Sequence, residues 1–529
     1  MSSVNNSGKR SQNNRVMRWS LPVLAFFALV CSSTQSANAT VRYEVSLEQR
    51  QDHIFNIRMH IPSAASGIKI AIPAWNALYQ IRDFASRVRN ITAVAMSNDG
   101  TSGASLPVQS LDKQTWQIGF PGESAATKSP DELLVSYSIV WNDPSPFDTQ
   151  LNAHHAFINF AEILMYLPDR RGEGTTVTFD HLPAEWKLIS ALSASQTDRQ
   201  FSAASYDALV DAPVEAGEFG EFEFENGGAH FRVAVDSKSG NVVHLDNYLR
   251  QITGYELKLM GGPPFKDYTF IFHIDPQAEV GGGGMEHANS TAIAASSPEG
   301  AAGIAAHEFF HAWNVKRIRP QALEPVDYSK EQYTLALWFA EGVTSTYAAY
   351  TLERAKLQTK DQFYEGLASQ ITTLQSRPAH LWQSAEEASL DTWFDKYENY
   401  NRPDRSISYY NKGQILGVLL DLAIRDATDN HKSLDDVLRR MNDEYAKAGK
   451  FYNESDGIRS VVEEVAGKSF EEFFRRYVAG ADEIPYDDFF SVAGLALKKN
   501  ASSYSVSEMP NTNARQRRIR EGILRGTTD

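Results

Sequence analysis

The stretch "EGAAGIAAHEFFHAWNVKRIRP", Glu299 to Pro320, decides how the chain is read. Its apolar residues recur at helical spacing, which predicts a helix over Glu299–Ile318 that stops before Pro320. Within it stands His307-Glu308-Phe309-Phe310-His311. Residues four apart project from one face of a helix, so both imidazoles can reach one zinc ion at about 2.0–2.1 Å. Glu308, one residue on from His307, can reach a water beside that ion as general base. The surrounding Ile304, Ala305, Ala306, Phe309 and Phe310 are apolar. Two uncoordinated histidines buried among them would leave polar nitrogens unpaired, so a metal site accounts for the pattern better.

A catalytic zinc needs a third protein ligand and an open position. Glu341 in "LWFAEGVTSTY" (Leu337–Tyr347) is the candidate, a carboxylate inside an apolar helical run read as Glu331–Ala355. A lone buried glutamate is costly unless it is paired or bound to metal. Two histidines and a glutamate are the thermolysin type of donor set.

Toward the N-terminus the pattern is strand-like. "VRYEVSLEQ", "HIFNIRMHIP", "GIKIAIPAW", "LLVSYSIVW" and "TTVTFDHLP" alternate apolar and polar residues, with turn residues between them. This predicts an antiparallel β-domain over residues 40–230, built as a sandwich. "YTFIFHI" (Tyr268–Ile274) is apolar on both faces and reads as a central strand. Toward the C-terminus the runs are helical: "YYNKGQILGVLLDLAIRDAT", "SLDDVLRRMNDEYAKA" opened by Ser433, and "SFEEFFRRYVAG" stopped by Gly480. The fold class is therefore α+β, an N-terminal β-domain followed by a mainly helical domain over residues 231–496. Residues 497–529 lose apolar periodicity, carry an excess of basic over acidic residues, and read as a disordered basic tail.

Composition narrows the function. The chain has 529 residues, 42% hydrophobic and 22% charged, with a formal net charge of -15. That sign argues against a nucleic-acid partner. Lys9, Arg10, Arg15 and Arg18 precede the apolar run Leu21–Val30, and Ala37-Asn38-Ala39 follows. This reads as a signal peptide, residues 1–39, cut after Ala39. The expected location is secreted or periplasmic, with no membrane attachment after cleavage. Cys31, the single cysteine, would leave with the signal.

"HEFFHAWNVKRIRP", "LWFAEGVTSTY" and "GGMEH" (Gly283–His287) together resemble the glycyl aminopeptidase family of zinc metallopeptidases. "YQIRDFA", "SLDTWF", "SYYNKGQILGVLLDLAIRD" and "GADEIPYDDFFSVAGL" extend the resemblance over nearly the whole mature chain. The resemblance implies a thermolysin-like catalytic domain and one Zn2+ per chain, held by His307, His311 and Glu341. It implies hydrolysis by zinc-activated water with Glu308 as base. The substrate is then a peptide with a free N-terminus and a small first residue, Gly or Ala.

Two further assignments rest on the resemblance. Glu286, after Gly283, Gly284 and Met285, matches the glutamate that holds the substrate amine in the larger gluzincin aminopeptidases. From the residues alone this segment reads better as a flexible glycine-rich loop with a solvated glutamate, and only the resemblance reverses that. Tyr410 in "YYNKG" matches a tyrosine that donates to the oxyanion, and adjacent Tyr409 leaves that match open by one position.

The sequence also departs from the family. Asn76-Ala77-Leu78-Tyr79 stands where Pro-Gly-Ser-Tyr is usual, and the residues after 496 are too few for the usual PDZ domain. Ser345 occupies the position where thermolysin has an aspartate that orients a histidine, so the groups behind the ligands must differ. His154 and His155, adjacent on a strand, point apart, and His273 reads as an ordinary strand residue. The rival readings are an endopeptidase of the same fold, in which Glu286 is no anchor, and a catalytically silent peptide-binding scaffold.

Overall fold

The computed structural model describes residues 40–526 except 65–66, 77–78, 97–101, 120–130, 195–196, 198, 238–243 and 278–281. The expected signal peptide, Ala77, Leu78 and Gly281 therefore lie outside the described residues. Among the described residues no helix is long and apolar enough to cross a membrane.

The alternating segments form strands as their patterns require. Val41–Gln49 buries every second residue over most of its length and pairs antiparallel with Ile54–Pro62. These two strands lie at the centre of an eight-stranded sheet that also holds Glu132–Val140, Val88–Met96 and Thr175–Asp180. Its pairings are antiparallel with one exception, the parallel pair Val41–Gln49 and Thr175–Asp180. A four-stranded sheet, Lys187–Ser190, Val214–Gly217, His155–Ile158 and Gln150–Leu151, and a smaller three-stranded one complete this β-rich part.

A second, five-stranded sheet follows in the order Gly220–Asn226, Ala229–Ser237, Asp267–Ile274, Ser290–Ala295, Gly283–Glu286. Asp267–Ile274 is paired on both sides, in agreement with its two apolar faces. The boundary expected after residue 230 falls inside the hairpin of Gly220–Asn226 and Ala229–Ser237.

Three sequence expectations are corrected among the helices. The first helix runs over Pro298–Phe310, capped by Ser297, and ends well short of Ile318. The chain turns there because the Asn314 amide donates to the Phe339 carbonyl (2.9 Å), and His311 Nδ1 lies 2.6 Å from the Asn314 carbonyl. The second expected helix starts near Leu337, not at Glu331, with a π-helical turn over Trp338–Val343 before the α-helix Thr344–Arg354. Residues 497–526 are ordered, where a disordered tail was expected. Leu495–Lys499 pairs with Tyr504–Glu508, and Ala514–Arg525 is a helix with a capping box at Asn513. Ile519, Ile523 and Leu524 seat in the main core, while Arg515 pairs with Asp426 and Asp429. Three apolar residues spaced along one short helix give little periodic signal, yet they suffice to dock it.

Candidate active site

The helix Pro298–Phe310 lies against the five-stranded sheet on a face of Ala301, Ala302, Ala305, Ala306 and Phe309. That burial turns His307 and His311 toward the helix Trp338–Arg354. His307 Nε2 lies 3.0 Å from His311 Nε2. Glu341 Oε2 lies 3.4 Å from His307 Nε2 and 3.1 Å from His311 Nε2. Tetrahedral coordination at 2.0–2.1 Å requires donor separations of about 3.3 Å, so this set fits a zinc-class ion. Burial alone would depress His311, but the Glu341 carboxylate beside it pushes it up to about 10. Burial would raise Glu341, yet His311 and His307 hold it well below the carboxylate range.

The two imidazoles are oriented from behind. His311 Nδ1 donates to the Asn314 carbonyl, a pure acceptor, so its Nε2 is the atom turned toward the site. Ser345 Oγ lies 3.3 Å from His307 Nδ1, the orienting role for which the sequence offered no aspartate. Glu341 sits in the π-helical turn, a feature that recurs at functional sites. Gly342 and Gly413 meet backbone to backbone there. A Cβ added at Gly413 would lie 2.2 Å from the Trp338 carbonyl oxygen. This contact brings the helix Tyr409–Ala427 against the Glu341 turn.

Tyr410 opens that helix with 40% of its surface exposed, its ring 6.1 Å from that of His307. Tyr409 is buried beneath it, stacked at 4.7 Å, and its hydroxyl accepts a bond from Thr392 Oγ1 (3.2 Å). Of the two tyrosines, Tyr410 is the one that faces the metal donors. Burial and the nearby Glu341 charge raise its pKa well above the ordinary phenol value, so it remains a proton donor.

The opposite wall is the edge strand Gly283–Glu286. The sequence alone allowed a flexible loop here, but the segment pairs with Ser290–Ala295 in the sheet. Glu286, Glu308 and His311 each present a donor atom within 4.8 Å of the others. A Cβ on Gly284 would lie 2.3 Å from Glu308 Cγ, so glycine is required for Glu308 to reach its position. A Cβ on Gly283 would meet the Phe147 ring at 2.9 Å. Met285 is buried, and its carbonyl accepts the Thr291 hydroxyl at 2.9 Å. It supports the strand from inside and is one of the residues lining the cavity beside Glu286. Glu308 is buried with Oε2 unpaired, and burial, followed by the charges of Glu286 and Glu341, raises it well above its ordinary value. Burial raises Glu286 as well.

Sequence reasoning missed Asp211. It lies on the turn after the helix Tyr206–Val210 and fixes the chain on both sides of the site. Lys316 Nζ is 2.7 Å from Asp211 Oδ1, His287 Nδ1 3.3 Å from Oδ1, and the Ala288 amide donates to Oδ2 at 3.0 Å. Beside Glu286 lies a cavity of about 70 Å³ lined by Trp75, Tyr79, Asp211, Glu286, Lys316 and Tyr328. Tyr79 and Asp211 come from residues far apart in sequence, so no local pattern could have joined them.

Residues 301–416 match the family described as M61 glycyl aminopeptidase, and residues 42–218 match the Peptidase M61 N-terminal domain. The two matches together span more than half of the chain. No curated protein matches it. Among solved structures, an aminopeptidase N family protein from Idiomarina loihiensis superposes with a TM-score of 0.80 at 24% identity, covering 87% of this chain and 79% of that one. An M1 zinc metallopeptidase from Deinococcus radiodurans superposes with a TM-score of 0.51 at 14% identity, covering 85% and 94%. These likenesses show the fold.

Proposed function

Because the chain belongs to the M61 glycyl aminopeptidase family, we propose that it is a zinc aminopeptidase that removes small N-terminal residues from peptides. The observation that carries the reading is the convergence of three donor atoms of His307, His311 and Glu341 at 3.0–3.4 Å, with Glu308 and Glu286 on the same cleft. Zinc held by the three donors would supply Lewis acidity toward the scissile carbonyl and toward water.

The chain's own residues would do the rest. Glu308 takes a proton from the attacking water and delivers it to the leaving amine nitrogen. Tyr410 donates its hydroxyl proton in a hydrogen bond to the carbonyl oxygen as negative charge develops there. Glu286 accepts the substrate ammonium in a charge-assisted bond, so the site measures from the chain end. Gly283 and Gly284 leave the edge strand bare, which lets an extended peptide pair along it. The small cavity beside Glu286 is the space that the first side chain would enter. Export through cleavage after Ala39 belongs to the same reading.

The deciding experiment measures zinc content together with cleavage of glycyl and alanyl chromogenic amides and their N-acetylated forms. Zinc-dependent cleavage of the free-amine substrates alone is expected. Equal cleavage of acetylated peptides would make the protein an endopeptidase, and full activity without metal would end the zinc reading.

A further inference from the structure

Away from the cleft, three residues that look unremarkable in sequence converge from three strands: His155 of His155–Ile158, Glu215 of Val214–Gly217 and His273 of Asp267–Ile274. We propose that His155, Glu215 and His273 form a second metal site, for a zinc-class divalent cation, that ties the four-stranded sheet to the sheet bearing Glu286.

Glu215 is fully buried, and each of its oxygens meets one ring: Oε1 lies 2.9 Å from His155 Nδ1 and Oε2 lies 2.9 Å from His273 Nε2. Donor atoms of all three residues lie within 4.8 Å of one another. The two rings stand perpendicular, 89° apart with centroids at 5.5 Å. The cleft histidines adopt the same arrangement, at 84° and 4.6 Å. Two packing features hold the rings in place. Phe157 meets His273 edge to face at 5.0 Å, and a Cβ on Gly217 would press within 3.0 Å of His155 Cβ. Asp236, the register partner of His273, offers a fourth donor at the half-open rim, with Oδ2 3.7 Å from His155 Nδ1.

Two imidazoles and two carboxylates make a four-donor set of the kind zinc accepts. Charge gives the second reason. A buried carboxylate is costly without a full positive charge beside it. Among the described residues, the ion-pair partners of Glu215 are these two histidines and no lysine or arginine. A divalent cation supplies a full charge, where the two imidazoles supply one only when protonated. The rival account is a carboxylate that simply accepts one N–H from each ring.

Full-length protein dialysed against metal-free buffer and assayed for bound metal separates the two accounts. The wild type should retain about two zinc ions per chain. His307→Ala and His273→Gln should each retain about one, and the double variant almost none. Glutamine keeps an N–H for Glu215 but is a poor zinc ligand, so a purely hydrogen-bonded cluster would survive the exchange with its metal content unchanged. His273→Gln should also keep its turnover of a glycyl amide, since the residue lies outside the cleft. His155→Gln serves as the second variant if the first does not fold. A wild type holding a single zinc that His307→Ala removes, while both glutamine variants leave the content unchanged, overturns the proposal.

Discussion

The two walls of the cleft are built on different principles. The helical wall carries His307, His311, Glu341 and Tyr410 on elements whose backbones satisfy themselves, and its residues converge on the cleft. The strand wall carries Glu286 on a sheet edge, held from behind by Asp211 and Lys316. We read the first wall as chemistry and the second as measurement of the substrate's end. The difference teaches that a peptidase can separate how fast it cuts from where it cuts by assigning them to different secondary structures.

The largest effect should come from the base between the walls. Glu308→Gln should keep its zinc and lower kcat by about 10²–10⁴-fold, since proton transfer is lost while the metal donors remain. A variant that loses zinc as well would show Glu308 to be part of the metal site. Next comes the helical wall. Tyr410→Phe should lower kcat by about 10²–10³-fold with zinc retained, whereas Tyr409→Phe should change mainly stability. The reverse ranking would assign the oxyanion contact to the buried tyrosine.

The strand wall should respond in selectivity. Glu286→Ala should cost the free-amine substrate roughly 1.5–3 kcal/mol in kcat/KM, about ten- to a hundredfold and more. The penalty for acetylating the substrate should shrink in the same variant. If that penalty is unchanged, Glu286 does not hold the amine and the distinction between the walls fails. A smaller effect, read as a lowered Tm, should follow Gly413→Ala, because overpacking of this kind costs about 1–3 kcal/mol.

The smallest effect concerns the ion pair behind the strand wall. Burial alone would raise the Asp211 carboxyl, but Lys316 and His287 hold it well below its ordinary value. A depressed carboxyl adds stability above its unfolded pKa of about 3.9 and loses that stability as pH falls toward its folded value. Lys316→Met should therefore lower Tm at pH 7, with the gap to wild type closing in acid. A gap that stays constant down to pH 2 would mean that the lysine acts through packing.

The helical wall was legible because its signal is local. Four-residue spacing puts His307 and His311 on one face, and Glu341 stands out as a carboxylate in an apolar run. The choice between Tyr410 and Tyr409 was not legible, since the Gly342–Gly413 contact sets which of two consecutive residues turns outward. Asp211, Tyr79 and the Asn314 bond to His311 reach the site through tertiary packing. The cluster of His155, Glu215 and His273 shows the same limit, its members lying on strands of two different sheets. The helix Leu245–Met260 carries a weaker signal in the sequence. Leu245, Leu249, Ile252, Leu257 and Met260 recur at helical spacing, but Gly254 and polar neighbours break the visual run.

The Gly342–Gly413 contact also bears on how such a site can evolve. With Gly413 Cα only 2.5 Å from where a Gly342 Cβ would sit, neither position admits even a methyl group unless the two helices part. Single substitutions there trade away the spacing between Glu341 and Tyr410 before they can offer anything new. Variation is left to residues such as Trp75 and Tyr328, which line the cavity beside Glu286 and lie on neither helix. A lineage of such enzymes would therefore drift in which chain ends it accepts while its catalytic geometry stays fixed.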